Sequence, residues 1–269
     1  MSTTEQPNGQ ALVKIAKRLD TAWRTRKPIL PISESEGVRD VSDAYTIQTE
    51  WTDLRIARGE KIAGRKIGLT SKAIQQQLSV SEPDYGTLWH SSFYEAADGT
   101  VDISVDHFLQ PRIEGEVAFL VRDRLQGPDV TPNQILSAMK GYALGVEIVD
   151  SRIADWKIKL VDTIADNASY GGFTLGPWDT ALGDVDLSSL ILKIHQRGEL
   201  VAEGPASAVM GHPLKSAAWL VNKLAEFGIN LEPNDVIISG GITKMLPVKA
   251  GDEFVFSLSG QPDLTVRFV

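Results

Sequence analysis

The 269-residue sequence contains no cysteine, which excludes disulfides, thiol catalysis and zinc–thiolate sites. It holds only 4 histidines, so an imidazole-rich metal centre is disfavoured as well. No basic run or stripe is present, and no nucleic acid partner is expected. Nor does any stretch approach about 18 consecutive apolar residues, so no membrane span is expected. Neither a Gly-x-Ser-x-Gly elbow nor a Walker loop occurs, which argues against a serine hydrolase and a nucleotide-dependent enzyme. The opening residues, Met1 to Gly9, lack a basic segment leading into an apolar core, and the expectation is a soluble, cytoplasmic protein. What is present is ordinary for a globular chain: 42% hydrophobic and 23% charged residues, a net charge of -8 and a pI near 5.1.

Residues 1–9 carry no apolar pattern and are expected to be disordered. Ala11 to Arg26 then places Leu12, Ile15, Ala16, Leu19 and Trp23 at helical spacing. A second helix is predicted from Ser42, read as its N-cap, burying Ala44, Tyr45, Ile47, Trp51 and Leu54 before Gly59. From Lys61 the texture changes to short apolar runs punctuated by glycine, proline and aspartate, the texture of a mainly β domain. The division expected is an N-terminal helical section, 1–60, and a β-rich catalytic domain, 61–269.

Within the second part, Gly64–Thr70 leads into a short helix predicted over 71–78, followed by a turn at Ser81–Gly86. Strands are predicted at 100–103 and 112–121, a helix from Thr131 to about Lys140 by its N-cap and N1 proline, and a strand at 142–149. Asp150 to Asp162 reads as helical or irregular, Ala165–Ser169 as a polar loop, and Gly171-Gly172 as a turn. A hairpin is predicted about Arg197-Gly198, a helix over 213–227, and strands near 236–239, 254–258 and 264–269.

The most informative stretch is Gln110-Pro-Arg-Ile-Glu-Gly-Glu-Val-Ala-Phe119. A strand alternates faces, so Glu114 and Glu116 point one way while Ile113, Val117 and Phe119 point the other. Two carboxylates so placed repel, and one pKa rises unless a cation lies between them. A solvent-facing strand would carry the same pattern at no cost. The next strand, Tyr142–Val149, holds a single acid, Glu147, amid apolar residues, with no basic neighbour in sequence. A buried carboxylate must be paired, protonated or metal-bound. Three of them would make an all-oxygen site that suits magnesium, manganese or calcium, although spacing alone does not bring Glu147 to the pair.

Other candidates are weaker alone. Lys66 lies in a glycine-flanked apolar run and either reaches the surface or faces a pocket. Asp84 reads as a turn-stabilising residue, Asp166, Asn167 and Ser169 as a cap or a substrate-positioning loop, and His212 as the residue that opens a helix.

Several strings together resemble the hydratase and decarboxylase branch of the fumarylacetoacetate hydrolase superfamily, enzymes of aromatic meta-cleavage catabolism. They are Lys66–Ser71, Ser81–Gly86, Gln110–Glu116, Val146–Arg152, Ala165–Ser169 and Gly211–Leu214. The resemblance implies an α+β fold, a β-rich mixed-sheet roll with the helical section in front, and an oligomeric assembly. It implies that Glu114, Glu116 and Glu147 hold Mg2+ or Mn2+, that Lys66 and Asp84 act as acid–base or orienting groups, and that Ser169 lies at the substrate. The small-molecule substrate implied is a 2-hydroxy-2,4-dienoate for a hydratase or a 2-oxo-enedioate for a decarboxylase. A homo-oligomer is expected, and a complex with a homologous hydratase or decarboxylase is compatible with the family. Short strings divide the two activities: Ile67–Ser71 and Ser81–Gly86 look like hydratases, whereas Ser239–Thr243 looks like decarboxylases, with Lys244 placed to meet a distal carboxylate. A third reading is a noncatalytic, metal-stabilised assembly subunit.

Overall fold

The computed structural model describes residues 7–71, 75, 80 and 82–269. The helix expected over 71–78 therefore lies almost wholly outside the described residues, as does most of the disorder expected over 1–9. Asn8 caps the first helix, Gly9–Thr25, by accepting from the Ala11 amide at 3.1 Å. The second long helix is Val41–Ala57, and its N-cap is Asp40 rather than Ser42. Among the described residues, no helix is long and apolar enough to cross a membrane.

Two sheets follow. The larger takes β1 (Ile62–Gly68), β2 (Asp84–Trp89), β4 (Arg112–Val121), β5 (Met139–Val149), β6 (Tyr170–Leu175) and β9 (Val236–Ile238) in the order β2-β1-β9-β4-β5-β6, with β10 (Leu246–Pro247) on β4. The smaller contains β3 (Thr100–Ile103), β7 (Ile191–Gln196), β8 (Glu199–Pro205), β11 (Glu253–Leu258) and β12 (Leu264–Phe268). Most pairings are antiparallel, but β1 with β9 and β12 with β3 are parallel, so both sheets are mixed. The end strands β2 and β6 come into contact, so the larger sheet curls into a roll.

Several expected turns became strand for a packing reason. Asp84 and Gly86 begin β2, where a Cβ on Gly86 would lie 2.5 Å from the Asn167 carbonyl oxygen. Gly171 and Gly172 sit inside β6, where a Cβ would meet Ile148 O at 2.8 Å and the Tyr94 ring at 2.7 Å. These glycines permit close approach rather than chain reversal. The helix capped by Thr131 stops at Ala138, because Met139 already belongs to β5.

The two faces of β4 have different fates. Ile113, Gly115, Val117 and Phe119 turn toward the second sheet, and a Cβ on Gly115 would lie 2.8 Å from Leu192. The opposite face lines the roll. Register places Lys66, Ile238 and Ala118 abreast there, with Leu120 opposite Val236 and Phe173 opposite Glu147. Buried Leu88, Phe173, Val236 and Ile238 form an apolar cluster along this inner face. The roll therefore has charged and apolar regions side by side.

The front helices are bonded into this frame. Gln48 Nε2 donates to Tyr85 O of β2 at 2.9 Å and to Ile164 O at 2.8 Å. The Arg55 guanidinium is stacked between the rings of Trp23 and Trp89, 4.2 Å from each centroid, and grips both oxygens of Glu60. Replacing Arg55 removes the stack and leaves the half-buried Glu60 with only Ser91 and a more distant Arg58. Arg55→Ala should therefore lower the urea unfolding free energy by about 2–4 kcal/mol, with Arg55→Lys recovering less than half. Equal stability of Arg55→Ala and wild type would contradict this account.

Candidate active site

Strand pairing assembles the acidic residues. Glu114 of β4 and Glu147 of β5 are directly opposed in register, and Glu116 lies two residues along β4 on the same face. One carboxylate oxygen from each lies within 4.8 Å of those of the other two. Glu116 and Glu147 are fully buried, while Glu114 is half-buried and marks the open side. The three side chains that spacing could not bring together are thus joined by the β4–β5 ladder.

The surrounding backbone is shaped to approach them. Ser239-Gly240-Gly241 runs beside β4, and the Gly240 amide donates to Glu116 Oε2 at 2.5 Å. Gly240 has φ of 109°, and a Cβ on Gly241 would lie 2.3 Å from Glu114 Oε2. Only glycine lets the chain pass here.

Lys66 supplies the positive charge. Its Nζ lies 2.9 Å from Glu147 Oε1 and donates to Ala168 O at 3.0 Å. Beyond this charge contact with Lys66, neither carboxylate oxygen of Glu147 has a further hydrogen-bond partner among the described residues. Glu116 Oε1 and Asp84 Oδ1 are likewise buried without a partner among the described residues. Asp84 sits at the start of β2 with only 1% of its surface exposed, its Oδ1 lying over Gly68 where no side chain intervenes.

Four carboxylates thus face one ammonium. Burial, reinforced by the Glu147 charge, lifts Glu114 to about 8, and burial with the neighbouring glutamates holds Glu116 well above its ordinary value. Burial also raises Glu147 and Asp84, with the Lys66 charge opposing the shift. Burial alone would lower Lys66, but Glu147, Asp84, Glu114 and Glu116 outweigh it and raise its pKa. A divalent cation would satisfy the stranded oxygens and remove the repulsion. The donor set is oxygen only, which fits a hard ion.

Ser169 closes the constellation. It ends a short turn, Asn167–Ser169, in which three successive non-glycine residues have φ of 54°, 51° and 54°. Asn167 holds this left-handed turn against β2: its Oδ1 accepts from Thr87 N at 2.7 Å and its Nδ2 donates to Thr87 O at 2.9 Å. Asp166 is buried against Arg152, whose Nε lies 2.5 Å from Asp166 Oδ1. The expected loop is therefore a buried, tightly bonded support, from which the Ser169 hydroxyl reaches that of Thr163 at 3.3 Å.

Thr163 joins these residues without a signal in the sequence. Its hydroxyl lies 3.4 Å from Asp84 Oδ2 and 3.3 Å from Ser169 Oγ. It occupies a six-residue helix, Leu160–Ala165, whose pattern in sequence is indistinguishable from a packing segment. His212 opens a helix as expected, its Nδ1 accepting from Leu214 N at 3.1 Å, and Lys244 is exposed.

No family model matches the chain. A 2-hydroxyhexa-2,4-dienoate hydratase of Comamonas testosteroni is 41% identical over 253 residues, 94% of this chain and 95% of that protein. A 2-keto-4-pentenoate hydratase of Paraburkholderia xenovorans is 38% identical, covering 94% of this chain and 93% of its own. Among solved structures, 4-oxalocrotonate decarboxylase from Pseudomonas putida G7, complexed with magnesium and adipate, superposes with a TM-score of 0.93 at 32% identity, over 98% of this chain and 100% of that one. The chain belongs to the 2-keto-4-pentenoate hydratase family, within the hydratase and decarboxylase branch of the fumarylacetoacetate hydrolase superfamily.

Proposed function

We propose that this protein is a metal-dependent hydro-lyase that adds water to a 2-hydroxy-2,4-dienoate through its 2-oxo-3-enoate tautomer. The product is a 4-hydroxy-2-oxo acid of aromatic meta-cleavage catabolism. The observation carrying the reading is the buried Glu114, Glu116 and Glu147 cluster, with oxygens left unpartnered among the described residues beside Lys66 and Asp84.

Mg2+ or Mn2+, held by the three glutamates, would supply a Lewis acid that draws charge toward the 2-oxygen and a carboxylate oxygen of the substrate. The rest falls to the chain. Its acidic neighbours keep Lys66 charged, so it serves as a fixed cation near the developing oxyanion rather than as a base. Asp84, whose pKa burial raises and whose Oδ1 has no hydrogen-bond partner among the described residues, is suited to exchanging a proton with the substrate. In ketonisation a proton leaves the 2-hydroxyl and one arrives at C5. Water then bonds through oxygen to C4, and C3 receives a proton. Ser169 orients the substrate beside this group, and the apolar inner face at Phe173 and Ile238 limits access of bulk water.

A carboxy-lyase acting on a 2-oxo-enedioate is the second reading, favoured by the likeness to the decarboxylase structure. The hydratase names of the relatives at 41% and 38% identity weigh toward hydration. We further place the enzyme in the cytoplasm, in keeping with its metabolic relatives, and take it to be a homo-oligomer on the family resemblance. A complex with a homologous hydratase or decarboxylase belongs to the same proposal.

With magnesium, purified protein should consume 2-hydroxypenta-2,4-dienoate without releasing carbon dioxide. Carbon dioxide from 2-oxohex-3-enedioate, with no loss of the dienoate, would establish the second reading, and no turnover of either would favour a noncatalytic subunit. Glu116→Gln should reduce both turnover and calorimetric Mg2+ affinity by at least roughly 100-fold. Wild-type values for both would remove the proposed metal site.

The raised carboxyls bind protons more tightly folded than unfolded. Their stabilising contribution is complete below the ordinary glutamate range and is lost as pH rises through about 8 for Glu114. The melting temperature of metal-free protein should therefore fall between pH about 5 and about 8, and saturating Mg2+ should suppress that fall. Calorimetry should also find Mg2+ affinity rising with pH over this range. A flat profile without metal would show that the cluster is not desolvated.

A further inference from the structure

We propose that Thr163 is a positioning residue whose hydroxyl links Ser169 to Asp84 and fixes which Asp84 oxygen is presented to the substrate. The inference rests on the reading of Asp84 as the proton carrier. All three side chains are buried, with 3%, 1% and 2% of Thr163, Asp84 and Ser169 exposed. The Thr163 hydroxyl stands between the other two, 3.4 Å from Asp84 Oδ2 and 3.3 Å from Ser169 Oγ.

Direction follows from donor inventory. Thr163 Oγ1 donates to Asp84 Oδ2, and with its single proton given there, its oxygen is left to accept from Ser169. Asp84 Oδ2 is then occupied, while Oδ1 remains without a hydrogen-bond partner among the described residues. The separations are long for hydroxyl hydrogen bonds, as in many catalytic sites that tighten when substrate arrives.

The helix carrying Thr163 is held on either side of it. Asp162 accepts from Ser33 N at 2.9 Å and Ser33 Oγ at 2.8 Å, and the Ile164 carbonyl accepts from Gln48 at 2.8 Å. Gln48 also bonds Tyr85 O, next to Asp84, so one side chain ties together the segments bearing Thr163 and Asp84. The Ser169 end is set by the Arg152–Asp166 pair and the Asn167 clamp. These bonds fix the residues around Thr163, and its own hydroxyl is the polar group they set between Asp84 and Ser169, where a valine of similar shape would offer no donor. They support a hydroxyl whose location is imposed from three directions.

The test compares Thr163→Val, which keeps the shape, with Thr163→Ser, which keeps the hydroxyl, in the magnesium-loaded enzyme. Thr163→Val should lower kcat by about 100-fold, leaving KM, Mg2+ affinity and melting temperature nearly unchanged, whereas Thr163→Ser should stay within about threefold of wild type. Thr163→Ala replaces the valine variant if that one fails to fold. In an Asp84→Asn background, Thr163→Val should cause no further loss of kcat. If Asp84→Asn is inactive but both hydroxyl-free variants turn over at the wild-type rate, this inference is wrong and the role of Asp84 stands. If Asp84→Asn itself turns over normally, the proton-carrier reading fails and the inference falls with it. Equal loss in the serine and valine variants, or additive loss in the Asp84→Asn background, would assign Thr163 to packing instead.

Discussion

Mutual repulsion among buried carboxylates is the constraint about which this protein is built. Glu116, Glu147 and Asp84 are withdrawn from water, Glu114 partly so, and among the described residues Lys66 is the one ammonium set between them. A desolvated charge without a partner is costly, and one cation cannot balance four anions. Protons on the glutamates would relieve the excess, as would a divalent ion in their place. The same unfavourable electrostatics that burden the fold without metal would give the cluster its affinity for a divalent ion. Stability and site are therefore coupled through one group of side chains.

Such a group requires a rigid frame, and much of the remaining structure provides it. The β4–β5 ladder sets Glu114 opposite Glu147, and β9 joins β4 to the strand bearing Lys66. Glycines at 68, 86, 240 and 241 remove side chains that would otherwise occupy the space of Asp84, Asn167, Thr70 and Glu114. The left-handed turn at Asn167–Ser169 is unfavourable for residues with a Cβ, and it is held by Asn167 on one side and Arg152 on the other. The carbonyl of Ala168 at the middle of that turn is what Lys66 bonds. Backbone strain here serves to aim a carbonyl and a hydroxyl into the roll.

The front helices also participate in this frame. Gln48 and Ser33 reach the short helix of Thr163, and Arg55 stacks on Trp89 at the far end of β2. Hydration and decarboxylation draw on the same electron-withdrawing centre, so an acidic triad by itself is common ground between them. In the proposed reaction, discrimination would come from how a proton and a water molecule are delivered. That places weight on Asp84, Thr163 and Ser169, whose relative placement is governed by these peripheral contacts.

Local pattern in the chain is sufficient for much of the architecture. Helical spacing identifies the two front helices and the helix after His212, and alternation identifies β4 with Glu114 and Glu116 on one face, because these signals depend only on neighbours. Absence of cysteine and scarcity of histidine narrow any metal site to oxygen donors, and the family resemblance points to Lys66, Asp84, Ser169 and Glu147. The turns expected at Gly86 and Gly171-Gly172 are strands instead, because a turn and a close approach have the same sequence sign. Tertiary structure alone decided that Glu147 faces Glu114, that Lys66 pairs with Glu147, and that Thr163 stands between Asp84 and Ser169. The Thr163 and Asp84 side chains meet across 79 positions of sequence. Such relations arise when strands are ordered and curled into a roll, and periodicity along a chain carries no record of that ordering.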